Sequence, residues 1–448
     1  MFKKLILKTR LTNIRIIVLG FLVIILFGAL LLSLPFASRD GHWTAFIDSL
    51  FTSVSATCVT GLSVFDTFTH WSLFGQIVIM LLIQVGGIGF MTVIALMALF
   101  TKKQIRLRER TLLMQSAGSL TVGGVVDLLR KIVTGTFCFE LLGAIALSIR
   151  FVPQMGAKGI YFALFHSVSA FCNAGFDLMG QNAPYSSLTA YAADPLVNLT
   201  LIILIVTGGL GFIVWSDLLR HKWHFGKYRL HTKIVLVTTA ALLVGGTVLY
   251  YLLERNGAYS GMSFGERLLA SMFQSVTPRT AGMSTVDPAA LSEGSNVVTS
   301  VLMLIGGNPG STAGGIKTTT VAVLLITAAN AARGNRDVTV FKRRIGDTVI
   351  RQASAVLTIY TTVAIVSSVM ICAIEPVTLK QAVFEVCSAV GTVGLTLGIT
   401  PALSAVSKII IMLLMFGGRI GAYTLALALS EKRIDAPVKR PSEKLLIG

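Results

Sequence analysis

The stretches Thr57-Cys58-Val59-Thr60-Gly61, Phe171-Cys172-Asn173-Ala174-Gly175, Pro278-Arg279-Thr280-Ala281-Gly282 and Val390-Gly391-Thr392-Val393-Gly394 decide the fold. Each follows a short run of small or hydroxyl-bearing residues, such as Ser53-Val54-Ser55-Ala56 or Ser167-Val168-Ser169-Ala170, and each ends in glycine. The glycines lie 114, 107 and 112 residues apart. Four similar units in one chain point to a pseudo-fourfold arrangement around a central axis. A cation leaving water must have its hydration shell replaced, and rings of backbone carbonyls can do this. Turning carbonyls to an axis strains φ and ψ, and glycine relieves that strain. The bland alternative is four ordinary turn glycines.

Composition places the units in a bilayer. The chain of 448 residues is 54% hydrophobic and 13% charged, with a mean hydropathy of +0.78, far from a soluble domain. Residues 16–36 carry no charge and number 21, enough to cross the hydrocarbon. Lys3, Lys4, Lys8 and Arg10 precede this run as they would in a secretory signal, but the run is too long and Leu34-Pro35-Phe36 is no cleavage site. It reads as a first transmembrane helix.

The net charge of +18 is a topology signal. Residues 3–15, 102–131, 220–233, 333–351 and 432–444 hold 28 of the 38 Lys and Arg residues. The positive-inside rule puts all five clusters, and both termini, in the cytoplasm. Segments 35–71, 150–195, 255–296 and 375–408, which contain the glycine motifs, then face outward. Charge split this way over interhelical segments argues against nucleic-acid binding. Five cysteines without a CxxC or His pairing read as buried free thiols.

The chain therefore divides into units 1–100, 101–220, 221–330 and 331–448, all helical. Each is expected to run helix, short re-entrant helix, irregular loop, helix. The helices are expected near 14–34, 43–56 and 72–100; 132–150, 159–171 and 195–219; 232–254, 263–277 and 295–329; and 347–373, 379–389 and 401–430. The middle helices are too short to span, and irregular backbone at membrane depth must be satisfied by protein or a water-filled cavity. Each last helix carries a diglycine: Gly86-Gly87, Gly208-Gly209, Gly306-Gly307 and Gly417-Gly418. Close helix packing is the simplest role for such pairs.

The motifs TCVTGL, NAGFD, TPRTAGM and GTVGLT resemble the four selectivity-filter segments of the Trk/Ktr/HKT superfamily of cation transporters, a likeness that covers nearly the whole chain. Trk members carry two further N-terminal membrane helices, and this sequence enters its first unit directly, which implies the shorter Ktr branch. The resemblance implies a potassium-translocating membrane subunit with four membrane-pore-membrane units, working as a homodimer with one pore per subunit. It also implies docking on a cytosolic RCK-type ring, the only place where nucleotide would bind. Its filter positions fall on Val59, Thr60 and Gly61; Asn173, Ala174 and Gly175; Thr280, Ala281 and Gly282; and Thr392, Val393 and Gly394. Glycine at all four resembles the potassium-selecting members, whereas serine in the first segment marks sodium-favouring relatives. Gly391 offers a rival register in the fourth segment.

Residues 305–320 read IGGNPGSTAGGIKTTT, with five glycines and a proline. Each glycine costs about 1 kcal/mol and proline about 3 in a helix interior, so a break is expected over 308–316. The run misses a phosphate-binding loop because Ile316 separates Gly315 from Lys317. By resemblance, Asn308, Pro309, Gly310, Ser311, Thr312, Ala313, Gly314 and Gly315 form an intramembrane loop that obstructs the pore below the filter. Lys317 and Arg419 are basic residues inside spans, functional candidates by default, and the family has an arginine that contacts the loop. Snorkelling to the cytoplasmic surface is the alternative for both.

Basic clusters such as 102–110 and 336–344 suit anionic lipid or an acidic partner. Leu445-Leu446-Ile447 suits a subunit contact. A sodium-coupled or sodium-selective transporter is the second reading, and an intramembrane enzyme the third. The enzyme reading lacks a catalytic set: His42, His70, His166, His221, His224 and His231 are scattered over helix ends and loops. Asp48, Asp66 and Asp177 read as solvated carboxylates near the outer mouth.

Overall fold

In the computed structural model, residues 13–89, 125–181, 183–335 and 337–421 are described. The basic clusters at 102–110 and 432–444, residue 336, the far ends of the expected helices 72–100 and 401–430, and Leu445-Leu446-Ile447 lie outside them. Four long helices make the frame: α1 (Asn13–Ser33), α4 (Val125–Met155), α8 (Leu230–Leu253) and α12 (Asp347–Ile374). Each contains a stretch of 19 to 28 residues apolar enough to cross a membrane. Their outward faces expose Leu26, Phe27, Leu141, Val244 and Val366, among others, as lipid-facing helices do.

Against each frame helix packs a short one: α2 (Phe46–Thr57), α5 (Lys158–Cys172), α9 (Phe264–Val276) and α13 (Leu379–Gly391). The first three pairs share one device. Ser53, Ser167 and Ser275 donate to the carbonyls of Ile25, Glu140 and Leu243 at 2.7, 2.6 and 2.8 Å. Gly28, Gly143 and Gly246 face these hydroxyls, where a Cβ would collide. The fourth pair has Val386 in place of the serine.

The last helix of each unit begins under a side-chain cap. Ser72, Asp194, Ser292 and Ser404 accept backbone N–H groups at the starts of α3 (Leu73–Ile88), α6 (Pro195–Leu210), α10 (Glu293–Leu304) and α14 (Ala405–Ile420). Such a cap contributes about 1 kcal/mol. Each of these helices packs on the short helix of the following unit: α3 on α5, α6 on α9, α10 on α13, and α14 on α2. The cycle therefore closes on itself. Lys408 donates to Asp48 at 2.7 Å across the closing contact.

These last helices end sooner than the sequence suggests. Gly89, Gly211 and Gly421 take φ of 87°, 95° and 94°, a region closed to most residues, and stop α3, α6 and α14. A second helix, α7 (Phe212–His221), leaves α6 at 97°. The third unit breaks where expected, over 305–317, before α11 (Thr318–Ala332) resumes. A two-residue hairpin, β1 (Thr339–Val340) with β2 (Arg343–Arg344), leads into α12. The signal for the extra breaks was a third glycine in Gly86-Gly87-Ile88-Gly89 and Gly208-Gly209-Leu210-Gly211.

Candidate ion pathway

The short helices α2, α5, α9 and α13 all end at a turn of one design. Val59, Asn173, Thr280 and Thr392 stand two residues before the motif glycines, and all four have φ between 52° and 70°. The next N–H in units one, two and four, from Thr60, Ala174 and Val393, returns to the carbonyl of Ser55, Ser169 or Ser388 at 2.8 Å. This is the left-handed closure typical of helix C-termini. The motif glycines then adopt φ of 90°, 74°, 77° and 99°.

Those glycines meet. A Cβ on Gly61 would stand 2.6 Å from the Ala174 carbonyl oxygen, and one on Gly175 would stand 3.1 Å from that of Ala281. A Cβ on Gly282 would overlap the Val393 oxygen, and one on Gly394 would overlap that of Thr60. The contacts run one, two, three, four and back to one. Gly394 thus occupies the fourth position; Gly391 remains the last residue of α13, with its α-carbon against Gly315. Ser55 and Ser388 hold the Gly61 and Gly394 N–H groups at 3.1 and 3.0 Å. Ser169 donates to Phe176 at 2.6 Å, and Thr277 donates to Met283. Helix C-termini aimed at this ring add partial negative charge.

The four glycines also line one cavity of about 520 Å³, together with Asp66 and Asp177. Neither carboxylate is a plain solvated group. Asp66 accepts N–H bonds from Phe68, Thr69 and Tyr185 at 3.0, 2.8 and 2.9 Å, tying the outer loops of units one and two. Asp177 accepts the Met179 N–H at 2.9 Å. Burial pushes its carboxyl up to about 6; that bond lowers it, and nearby Asp66 adds repulsion. Asp48 is spent on Lys408.

On the other side of the ring lies the 305–317 loop. Asn308 donates from its backbone and side-chain nitrogens to Gly209 O at 3.1 and 2.9 Å. Thr312 donates to Phe171 O at 3.1 Å and accepts the Asn173 amide at 2.9 Å. Gly315 N donates to Gly418 O at 3.3 Å, Gly310 O accepts the Phe212 N–H at 2.8 Å, and Pro309 O faces Gly211. Ser311 closes the turn on Asn308 O at 2.7 Å. Arg419 does not snorkel: its guanidinium donates to Thr312 O in the loop and to Gly86 O and Gly87 O (3.1 Å to the latter) at the end of α3. Lys317 turns back on its own loop, donating to Ala313 O at 2.7 Å and to Gly314 O at 3.4 Å.

The diglycines serve packing. Side chains on Gly86, Gly208 or Gly418 would collide with the carbonyls of Thr57, Phe171 or Val390, at the ends of the short helices. The cysteines are free, and Cys58, Cys172 and Cys387 are buried, but Cys138 is exposed on α4. His166 departs from the sequence reading. It lies inside α5, fully buried.

Residues 12–437 match the TrkH family of cation transport proteins. The chain is 41% identical over 449 residues to the potassium/sodium uptake protein NtpJ of Enterococcus hirae, covering 98% of each. It is 39% identical over 442 residues to the Ktr system potassium uptake protein B of Bacillus subtilis, covering 98% of this chain and 97% of that one. The potassium transporter TrkH from Vibrio parahaemolyticus shares the fold, with a TM-score of 0.73 at 19% identity over 92% of this chain and 84% of the other. The chain therefore belongs to the TrkH family of membrane cation transporters, in company with the Ktr-system proteins.

Proposed function

We propose that this chain carries potassium ions inward across the cytoplasmic membrane through the ring at Gly61, Gly175, Gly282 and Gly394. The observation that carries the reading is the cyclic approach of those glycines to the carbonyls of Ala174, Ala281, Val393 and Thr60. Four carbonyl oxygens at one constriction replace water around a dehydrated cation. The cavity above is the outer vestibule, and the membrane potential drives the flow. Residues 308–316, held by Arg419, are the gate beneath it. The termini are cytoplasmic, the protein is a homodimer, and an RCK-type ring with its nucleotide moves α10 and α11 to shift the loop.

The test is cation flux into proteoliposomes. Potassium flux is expected to exceed sodium flux, and Gly282→Ser is expected to cost at least about tenfold in potassium flux, because the new side chain meets the Val393 carbonyl. Unchanged flux in that variant overturns the ring. The sodium-coupled alternative is favoured by the potassium/sodium name of the Enterococcus hirae relative. It requires potassium flux to rise when sodium is added outside.

A further inference from the structure

Each short helix carries a polar residue at one matching position, just before its Ser53, Ser167, Ser275 or Val386. These are Thr52, His166, Gln274 and Glu385, and none is more than 1% exposed. Thr52 turns inward to its own helix, donating to Asp48 O at 3.0 Å. In units two and four the side chain reaches instead to the segment that follows the motif glycine. The His166 Nδ1–H faces Phe162 O at 2.7 Å, which leaves Nε2 to accept the Leu178 N–H at 3.3 Å. Glu385 accepts from Thr396 Oγ1 at 2.7 Å and from Thr400 Oγ1.

Glu385 is the acidic member of this set, and no ion pair involves it among the described residues. A buried carboxylate without a cation is expensive unless its geometry is used. Here both oxygens take hydroxyl donors from one segment, residues 396–400. Thr396, whose Oγ1 also accepts the Gly398 N–H at 3.0 Å, stands two residues after Gly394 on the vestibule wall. Ser388 holds the Gly394 N–H from the other side. The fourth motif glycine is therefore clamped at both ends by α13.

We infer that Glu385 is a positioning residue that sets ion specificity: through Thr396 and Thr400 it fixes the Val393 and Gly394 carbonyls at the radius that suits potassium. This rests on the filter reading above. Glutamine fills the same volume but replaces one acceptor oxygen with an NH2 donor, so a hydroxyl that donated to the carboxyl must turn round to accept, and the grip on the segment loosens. The experiment measures the potassium-to-sodium permeability ratio in proteoliposomes for wild type, Glu385→Gln, Thr396→Val and the double variant, with Gly394→Ser as the filter control. Either single change is expected to lower the ratio roughly tenfold, the size of one buried hydrogen bond. The double variant is expected to be no worse, because both changes break one linkage. Sodium flux should rise relative to potassium flux, because the loosened carbonyls no longer discriminate by radius.

A wild type without preference, or a Gly394→Ser variant that keeps it, overturns the filter reading and this inference together. A selective wild type whose Glu385→Gln and Thr396→Val forms keep the ratio overturns this inference alone. A role in stability only would lower the melting temperature and both fluxes in proportion, and that result also overturns it. Thr396→Val keeps the buried carboxylate, so it gives an answer even if Glu385→Gln does not accumulate.

Discussion

At the scale of single residues, Asp177 carries the sharpest pH signature. Its carboxyl sits at about 6, raised chiefly by burial in the cavity wall, so it is ionised at neutral pH and takes up its proton as pH falls through 6. A negative charge in a cleft concentrates cations at the mouth. Potassium flux at sub-saturating potassium should therefore fall about two- to threefold between pH 7.5 and 5. Asp177→Asn should stay at the low level throughout, and a wild-type profile shared by that variant would remove the vestibule charge from the account. The motif glycines were legible in the sequence because spacing and positive φ demand the same residue type. The Tyr185 partner of Asp66 was not, because it lies 119 residues away; the family resemblance pointed to the contact of Arg419 with the loop, but not to its Gly86 and Gly87 partners, 333 and 332 residues away.

At the scale of elements, the loop 305–317 shows how much composition can tell. Five glycines and a proline announce a break, and propensity alone places it correctly. What propensity leaves out is the set of anchors. The loop bonds to the ends of α5 and α6, to the first residue of α7 and to Gly418 in α14, and Arg419 ties it to the end of α3. Among the described residues, the Arg419 guanidinium is the one side chain that bonds to both the loop and α3, so Arg419→Ala leaves three carbonyls without that donor. Potassium flux without any partner protein should rise several-fold; identical flux and identical activation would refute the tether. The early ends of α3, α6 and α14 escaped the sequence reading for a simpler reason. A diglycine already explained by packing masks the third glycine that turns the chain.

At the scale of the molecule, closure is cyclic: every last helix of a unit packs on the short helix of the next. The repeat implied four like units, but a periodic pattern cannot reveal which helix lies on which neighbour. The Lys408–Asp48 pair across the closing contact has side chains only 12% and 14% exposed. Removing one partner strands a mostly buried charge, which costs about 2 kcal/mol, between the values for exposed and fully buried pairs. Lys408→Met should lower the melting midpoint of the purified protein, and Asp48→Asn in the same background should restore part of it. A midpoint unmoved by Lys408→Met would mean that the seam draws its strength from apolar packing alone.

That same seam sets a clock on biosynthesis. Asp48 and Lys408 are separated by 360 positions, and a ribosome adding 5–20 residues per second takes about 20–70 s to cover that distance. Throughout that interval α2 has left the ribosome without the helix that will cover its far side. The nascent protein thus waits as an open arc, its first short helix shielded by lipid, by the insertion machinery or by a neighbouring copy, until the final helix arrives.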